Sequence, residues 1–180
     1  QTVAGSGGPT ATPLNNLMPA TSYAATSVNL KEVRGLVVGP AGELYISTPE
    51  ALLKLQSGSL TLLAGGNPCA SCVPPTTACA TCRTVISVAD EIQNYPAGAP
   101  ALNARLLEQT QGLVSMTVAG HLLYFTNAVS GVRVLNLGPT AATLYPGAGA
   151  AGGCGGAPLV VNSMSVKTVA GIKRGQGADG

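Results

Sequence analysis

Four cysteines fall within NPCASCVPPTTACATCR, residues 67–83, as two Cys-x-x-Cys pairs, Cys69/Cys72 and Cys79/Cys82, with six residues between the pairs. Four thiolates suit a tetrahedral structural zinc ion, but four-cysteine zinc modules usually separate their pairs by about 15–20 residues. The tighter spacing favours a loop stapled by two disulfides, and no metal site is assigned to it. Four cysteines allow three connectivities. The nested arrangement, Cys69 with Cys82 and Cys72 with Cys79, would close a small hairpin. Disulfides form in oxidising compartments, so the expected location is extracellular or at the cell surface. Cys154, between Gly152-Gly153 and Gly155-Gly156, is left over. It is expected to stay unpaired within this stretch or to pair outside it.

Other groups able to do chemistry are few. His121 is the only histidine and falls at a turn between two apolar runs, where an exposed turn residue is expected rather than a base or a ligand. Asp90 and Glu91 are adjacent rather than facing, and Glu43, Glu50 and Glu108 have no partner visible in the sequence. Metal-assisted hydrolysis or elimination needs several converging His, Asp or Glu side chains. No catalytic, cofactor-binding or metal-binding residue is therefore assigned, and no cofactor is expected. The glycine-rich run AGAAGGCGGAP, residues 148–158, lacks the Lys-Ser/Thr that completes a phosphate cradle.

Composition narrows the partners. The net charge is +2 and the basic residues are scattered, unlike the clustered Lys and Arg of a nucleic-acid interface. No apolar run reaches the roughly 18 residues of a membrane-spanning helix. Charged residues make up 9% of the chain, against about 25% in ordinary soluble domains. Such a surface depends on hydroxyls, on attached glycans or on cover from other protein. The sequence has no Asn-x-Ser/Thr acceptor, but its Thr, Ser and Pro leave O-linked sugars open.

The scaffold for these residues is set by the stretch 33–66, which reads as four strands, GLVVGP, ELYIS, ALLKLQ and LTLLAG. Their Val, Leu, Ile and Tyr content and their length suit sheet strands, and Gly39-Pro40-Ala41-Gly42 and Ser57-Gly58 supply turns. Parts of the stretch recur. Gly35-Leu36-Val37 matches Gly112-Leu113-Val114, Leu44-Tyr45 matches Leu123-Tyr124, and Thr61–Gly65 is aligned with Thr143–Gly147. Thr2-Val3-Ala4-Gly5 and Thr168-Val169-Ala170-Gly171 repeat one closing phrase. A four-stranded sheet repeated in tandem is the signature of a propeller blade. Strand centres at Leu36, Val38, Leu44, Ile46, Leu53, Leu62, Leu113, Leu123, Phe125, Val134 and Leu144 are expected to be buried. Residues 101–109 form the best helix candidate.

The phrases TVAG, GAPALNARL followed by QGLV, GELYIS and TLLAGG resemble the NHL-repeat β-propeller pattern over residues 28–66 and 98–148 and at both ends. The aspartate that follows LYIA in that family is Thr48 in one unit and Asn127 in the other. The family's "NHRIR" strand becomes ALLKL at 51–55 and SGVRVL at 130–135. The resemblance implies an all-β chain of four-stranded antiparallel blades. The expected organisation is the end of one blade and a connection at 1–29, a blade at 30–66, the cysteine-rich insertion and connector at 67–97, a second blade at 98–149, and a glycine-rich loop leading to a further blade at 150–180. A propeller closes with about 4–8 blades, so an incomplete propeller, a segment of a larger secreted protein, is expected. The function expected is that of a non-enzymatic structural or interaction module of a surface filament, coat or adhesion protein, partnered by the rest of the propeller or by repeated copies of the chain. The alternative is a segment of a propeller enzyme, a metal-dependent lyase or hydrolase whose active-site residues lie elsewhere.

Overall fold

The computed structural model describes residues 2–8, 11–14, 17, 20–65, 86, 91, 93–104, 106, 113–127, 131–145 and 158–170. The five cysteines lie outside them, as do Asp90 and Glu108.

The described chain is β-structure in two five-stranded antiparallel sheets with two small pairs beside them. In chain order the strands are β1 (Thr12–Pro13), β2 (Ser22–Ala24), β3 (Val28–Asn29), β4 (Gly35–Val38), β5 (Leu44–Ser47), β6 (Ala51–Gln56), β7 (Ser59–Gly65), β8 (Ala99–Pro100), β9 (Leu113–Ala119), β10 (Leu122–Asn127), β11 (Gly131–Asn136), β12 (Ala142–Tyr145), β13 (Leu159–Val161) and β14 (Ser165–Ala170). The first sheet has the order β2-β7-β6-β5-β4 and the second β8-β14-β11-β10-β9. β1 pairs in parallel with β3, and β12 pairs antiparallel with β13.

The two sheets are copies of one unit in register. Across the first, Leu36, Ile46, Leu53 and Leu62 form one row of cross-strand partners, and Val38, Leu44, Leu55 and Leu60 the next. In the second the same rows read Met116, Phe125, Arg133, Thr168 and Val118, Leu123, Leu135, Val166. A bulge interrupts both sheets at the same place, between Leu52 and Leu53 in one and between Val132 and Arg133 in the other. Alternation of side chains along a strand puts each row on one face. The face carrying these rows is here called the front of its sheet.

The second sheet lays its front against the back of the first. Tyr45, Leu52, Leu63 and Ala64 from the first sheet meet Leu123, Phe125, Leu135 and Val166 from the second, with Ala101, Ala104 and Leu106 of the connector closing the outer end. Val37, Met116 and Val118 complete the inner end, where β4 lies beside β9. The front of the first sheet is covered differently. Leu14, Leu17, Ala25, Val28 and Leu30 of the N-terminal segment pack on Ile46, Leu53, Leu60 and Leu62.

Three expectations from the sequence are corrected. The fourth strand of the second sheet is β14, and the stretch ending at Tyr145 pairs instead with β13, so the second unit does not end near residue 149 and Thr143–Gly147 is no counterpart of Thr61–Gly65. Leu55 and Leu135 stand 80 positions apart but Leu60 and Val166 stand 106 apart, so the second unit holds 26 more residues between its third and fourth strands. Within the helix candidate at 101–109, residues 101–104 make one tight turn, with the Ala104 N–H donating to the Pro100 carbonyl (3.0 Å), because the chain must at once deliver Ala101, Ala104 and Leu106 to the interface between the sheets; residues 105 and 107–109 lie outside the described residues. Leu36 and Val38 are 57% and 66% exposed, since the N-terminal segment covers the front of the first sheet only from β5 outward. Ile46, Leu53, Leu62, Leu123, Phe125 and Val134 are buried, Leu44 and Leu144 are half-buried, and the side chain of Leu113 lies outside the described residues.

The junction between units also repeats. The Gly65 N–H donates to the Ala101 carbonyl (3.1 Å) and the Gly5 N–H to the Ala25 carbonyl (2.9 Å). Both glycines have positive φ, +70° and +87°, and both lie against a leucine, Leu106 and Leu30. At Gly65 a Cβ would sit 2.3 Å from the Glu50 carbonyl oxygen and 2.8 Å from Leu106 Cδ1. Gly65→Ala is expected to cost about 2–4 kcal/mol, combining a left-handed backbone with overpacking. Gly58→Ala, with positive φ but open space around it, should cost only about 1 kcal/mol. Urea denaturation of the two variants checks the order.

Candidate functional site

Most of the charged and amide side chains buried among the described residues gather at three places. The first is the turn between β4 and β5. The Glu43 carboxylate accepts from the Ala41 N–H (2.9 Å) and from the Tyr45 hydroxyl (2.9 Å), while the Gly39 N–H donates to the Glu43 carbonyl (2.7 Å). A Cβ at Gly39 would lie 2.3 Å from Glu43 Oε1, so only glycine leaves room for the carboxylate to fold back. A hydrogen bond from its own backbone, then those from Tyr45 and Ala41 and the charge of Lys54, hold the Glu43 carboxyl below its ordinary value despite burial. Burial, with the hydrogen bond and charge of Glu43 added, pushes the Tyr45 hydroxyl up to about 12.

The second place is the front of the second sheet at its outer end. Arg133 and Glu91 are both fully buried and joined by an ion pair and hydrogen bond between Nη2 and Oε2. Glu91 Oε1 accepts from the Thr168 N–H, and the Arg133 guanidinium lies 5.7 Å from the centre of the Phe125 ring. Nearby, Lys167 Nζ donates to the Tyr95 carbonyl (3.2 Å). The connector carrying Glu91 and Tyr95 is thus clamped to β11 and β14.

The third place is Asn136 at the end of β11. Its Nδ2 donates to the Thr140 and Val161 carbonyls (2.8 and 2.9 Å) and its Oδ1 accepts from the Gly138 N–H (2.9 Å). These bonds fix the base of the excursion that carries β12 and β13.

His121 stands exposed in the β9–β10 turn, with its ring beside Gly138. Glu50 meets Lys31 at 3.9 Å on a half-exposed surface, a pair worth little in water. Thr48, at the family's aspartate position, is buried and closes the β5–β6 turn by accepting from the Ala51 N–H (3.0 Å). The side chain of Asn127 lies outside the described residues. Among the described residues no three His, Cys, Asp or Glu side chains come together as metal ligands, and no helix is long and apolar enough to cross a membrane.

Two carboxylates that lacked visible partners in the sequence, Glu43 and Glu91, are the most fully engaged in the fold. Glu91 had a usable signal: alternation in VRVLNL puts Arg133 on the same face as Leu135, and a guanidinium on a buried face requires a counter-charge. No protein-family model matches this chain, and no curated protein or solved structure shows significant similarity to it.

Removing one partner of a buried pair leaves the other charge uncompensated. Glu91→Gln is therefore expected to lose about 3–5 kcal/mol, whereas the double variant Glu91→Gln/Arg133→Met should recover much of the loss. Equilibrium unfolding of the two variants tests this. The Tyr45 hydroxyl is raised, so its contribution to stability is complete below its ordinary value of 10.0 and is lost as pH rises through about 12. Glu43 is lowered, so its contribution is present above 4.5 and is lost as pH falls through its depressed value. In an ultraviolet phenolate titration the wild type should show a late step at about 12, and Tyr45→Phe should lack it.

Proposed function

We propose that this chain is a non-enzymatic structural and interaction module of an extracellular protein, a surface filament, coat or adhesion component built from stacked NHL-like propeller blades. The observation that carries this reading is the front-to-back stacking of two sheets that share one register. Each sheet has a bulge at the same place, and the Gly65-to-Ala101 junction between the two sheets recurs at Gly5 and Ala25 ahead of the first. The front of the first sheet leaves Leu36 and Val38 exposed, which suits assembly. Several polar groups that the fold buries are engaged in the fold itself: the Glu43 carboxylate with the Tyr45 hydroxyl, Glu91 with Arg133 and the Thr168 N–H, Asn136 with three backbone groups. The extracellular setting rests on the two closely spaced Cys-x-x-Cys pairs and the charge-poor composition.

Peptide mapping of the native protein under non-reducing conditions, with sedimentation velocity and metal analysis of the same sample, tests this reading. Two disulfides among Cys69, Cys72, Cys79 and Cys82 in a protein that sediments as an assembly or as a closed set of blades are expected. Free thiols, or four thiolates on stoichiometric zinc, would remove the argument for an oxidising compartment. A stoichiometric metal accompanied by lyase or hydrolase turnover would establish the propeller-enzyme alternative instead.

A further inference from the structure

We propose that the open inner half of the front of the first sheet, around Leu36 and Val38, is the docking site for a third sheet of the same repeat, whose outermost segment is Thr2–Ala4. The inference rests on the reading of stacked sheets above and names the partner.

The register supplies the first step. Leu36 and Val38 occupy the positions that Met116 and Val118 occupy in the second sheet, opposite Ile46 and Leu44 in one and Phe125 and Leu123 in the other. Met116 and Val118 are covered by β4: Val37 packs into the same core, and a Cβ on Gly35 would lie 3.7 Å from Met116 Cε. What covers this position in the second sheet is the inner strand of the sheet before it. The same place on the first sheet is uncovered, at 57% and 66% exposure, with Val33 also exposed beside it.

The second step is the junction. Gly5 donates to Ala25 and lies against Leu30 as Gly65 donates to Ala101 and lies against Leu106. Ala4 packs into the core beneath the first sheet as Ala64 does beneath the second. Thr2 and Val3 border a cleft of about 490 Å³ with the turn residues Ser57 and Gly58. Leu62 and Leu63 border one of about 440 Å³ with Met164, the residue that precedes β14 as Gly58 precedes β7. Thr2–Ala4 therefore stands before the first sheet as the end of β7 stands before the second. Val3, where β7 has the buried Leu63, is 67% exposed. The missing cover is thus the inner strands of a sheet to which Thr2–Ala4 supplies the outer segment, with a small residue at the Gly35 position and an apolar residue at the Val37 position.

A second copy of the chain fits less well. Its own β14 would have to bring Thr168–Ala170 to the place that Thr2–Ala4 already holds.

Hydroxyl-radical footprinting read by mass spectrometry, applied to the 180-residue chain and to the native protein, tests the proposal. In the chain alone, Val38 should be modified several-fold faster than Val118, and Leu36 several-fold faster than Leu123. In the native protein both should fall to the rates of Val118 and Leu123. Leu36→Asp/Val38→Asp should leave the melting of the chain alone unchanged and abolish that protection. Equal rates at Leu36 and Val38 in the two samples of an assembled native protein would overturn the docking site while leaving the proposed function intact. A native protein that is a monomer of two sheets would overturn both. Cross-links between isotopically distinct copies at Leu36 and Val38 would replace the third sheet with a second copy.

Discussion

An antiparallel sheet with an apolar face is stable only when that face is covered, and this requirement governs the described part of the chain. A hairpin or a bare sheet has too little buried area to stand alone in water. Here the back of the first sheet and the front of the second cover each other, through Tyr45, Leu52 and Leu63 on one side and Leu123, Phe125 and Leu135 on the other. Two sheets stacked in one direction still leave one front and one back. The N-terminal segment covers much of that front with Leu14, Leu17, Val28 and Leu30. The irregular segments are thus not spacers, because they supply apolar cover where the stack ends.

The two fronts meet the same requirement with different chemistry. Leu53 and Leu62 of the first sheet correspond to Arg133 and Thr168 of the second. The leucines are covered by other apolar residues, whereas the arginine and threonine are covered by Glu91, which pairs with the guanidinium and also accepts from the Thr168 N–H. A buried ion pair adds little net stability compared with well-packed hydrocarbon, because desolvation of both charges offsets their attraction. Its stronger effect is on alternatives: any packing of the connector that moves Glu91 away strands a buried guanidinium. The apolar cover on the first sheet carries no such penalty for small shifts. The ion pair therefore fixes the position of the connector, and the leucines supply burial.

Much of the scaffold was legible in the sequence because it follows local rules. β4 to β7 and β9 to β11 are apolar runs bounded by Gly, Pro and Ser, and their pairing follows from short turns. The fourth strand of the second sheet was not legible by spacing, since the excursion anchored by Asn136 intervenes and the intruding ATLY has strand composition of its own. Its better clue was composition, with SLTLLAG at 59–65 matching SVKTVAG at 165–171 residue for residue in its ends. The partner of Glu91 lies 42 positions away, beyond any local pattern, although the charge within VRVLNL pointed to some partner. The exposure of Leu36 and Val38 escaped because strand periodicity gives the face of a residue and not what stands opposite that face.

The ends of the sheets bear on how such units meet. An unpaired strand edge is a template for pairing with other chains, and short edge strands blunt it. The outer edges here are β2, three residues long, and β8, two residues long. The inner strands β4 and β9 lie beside one another, so their edges converge rather than face outward separately. With few charges available to protect long edges, shortness does that work. Contact with further sheets then falls to faces, where shape and register decide the partner: a front with Leu36 and Val38 accepts a back that has a small residue at the Gly35 position and an apolar one at the Val37 position. A sheet with a bulky side chain at the first of these would be held away from the leucine, and the stack would lose the close approach that β4 and Met116 achieve.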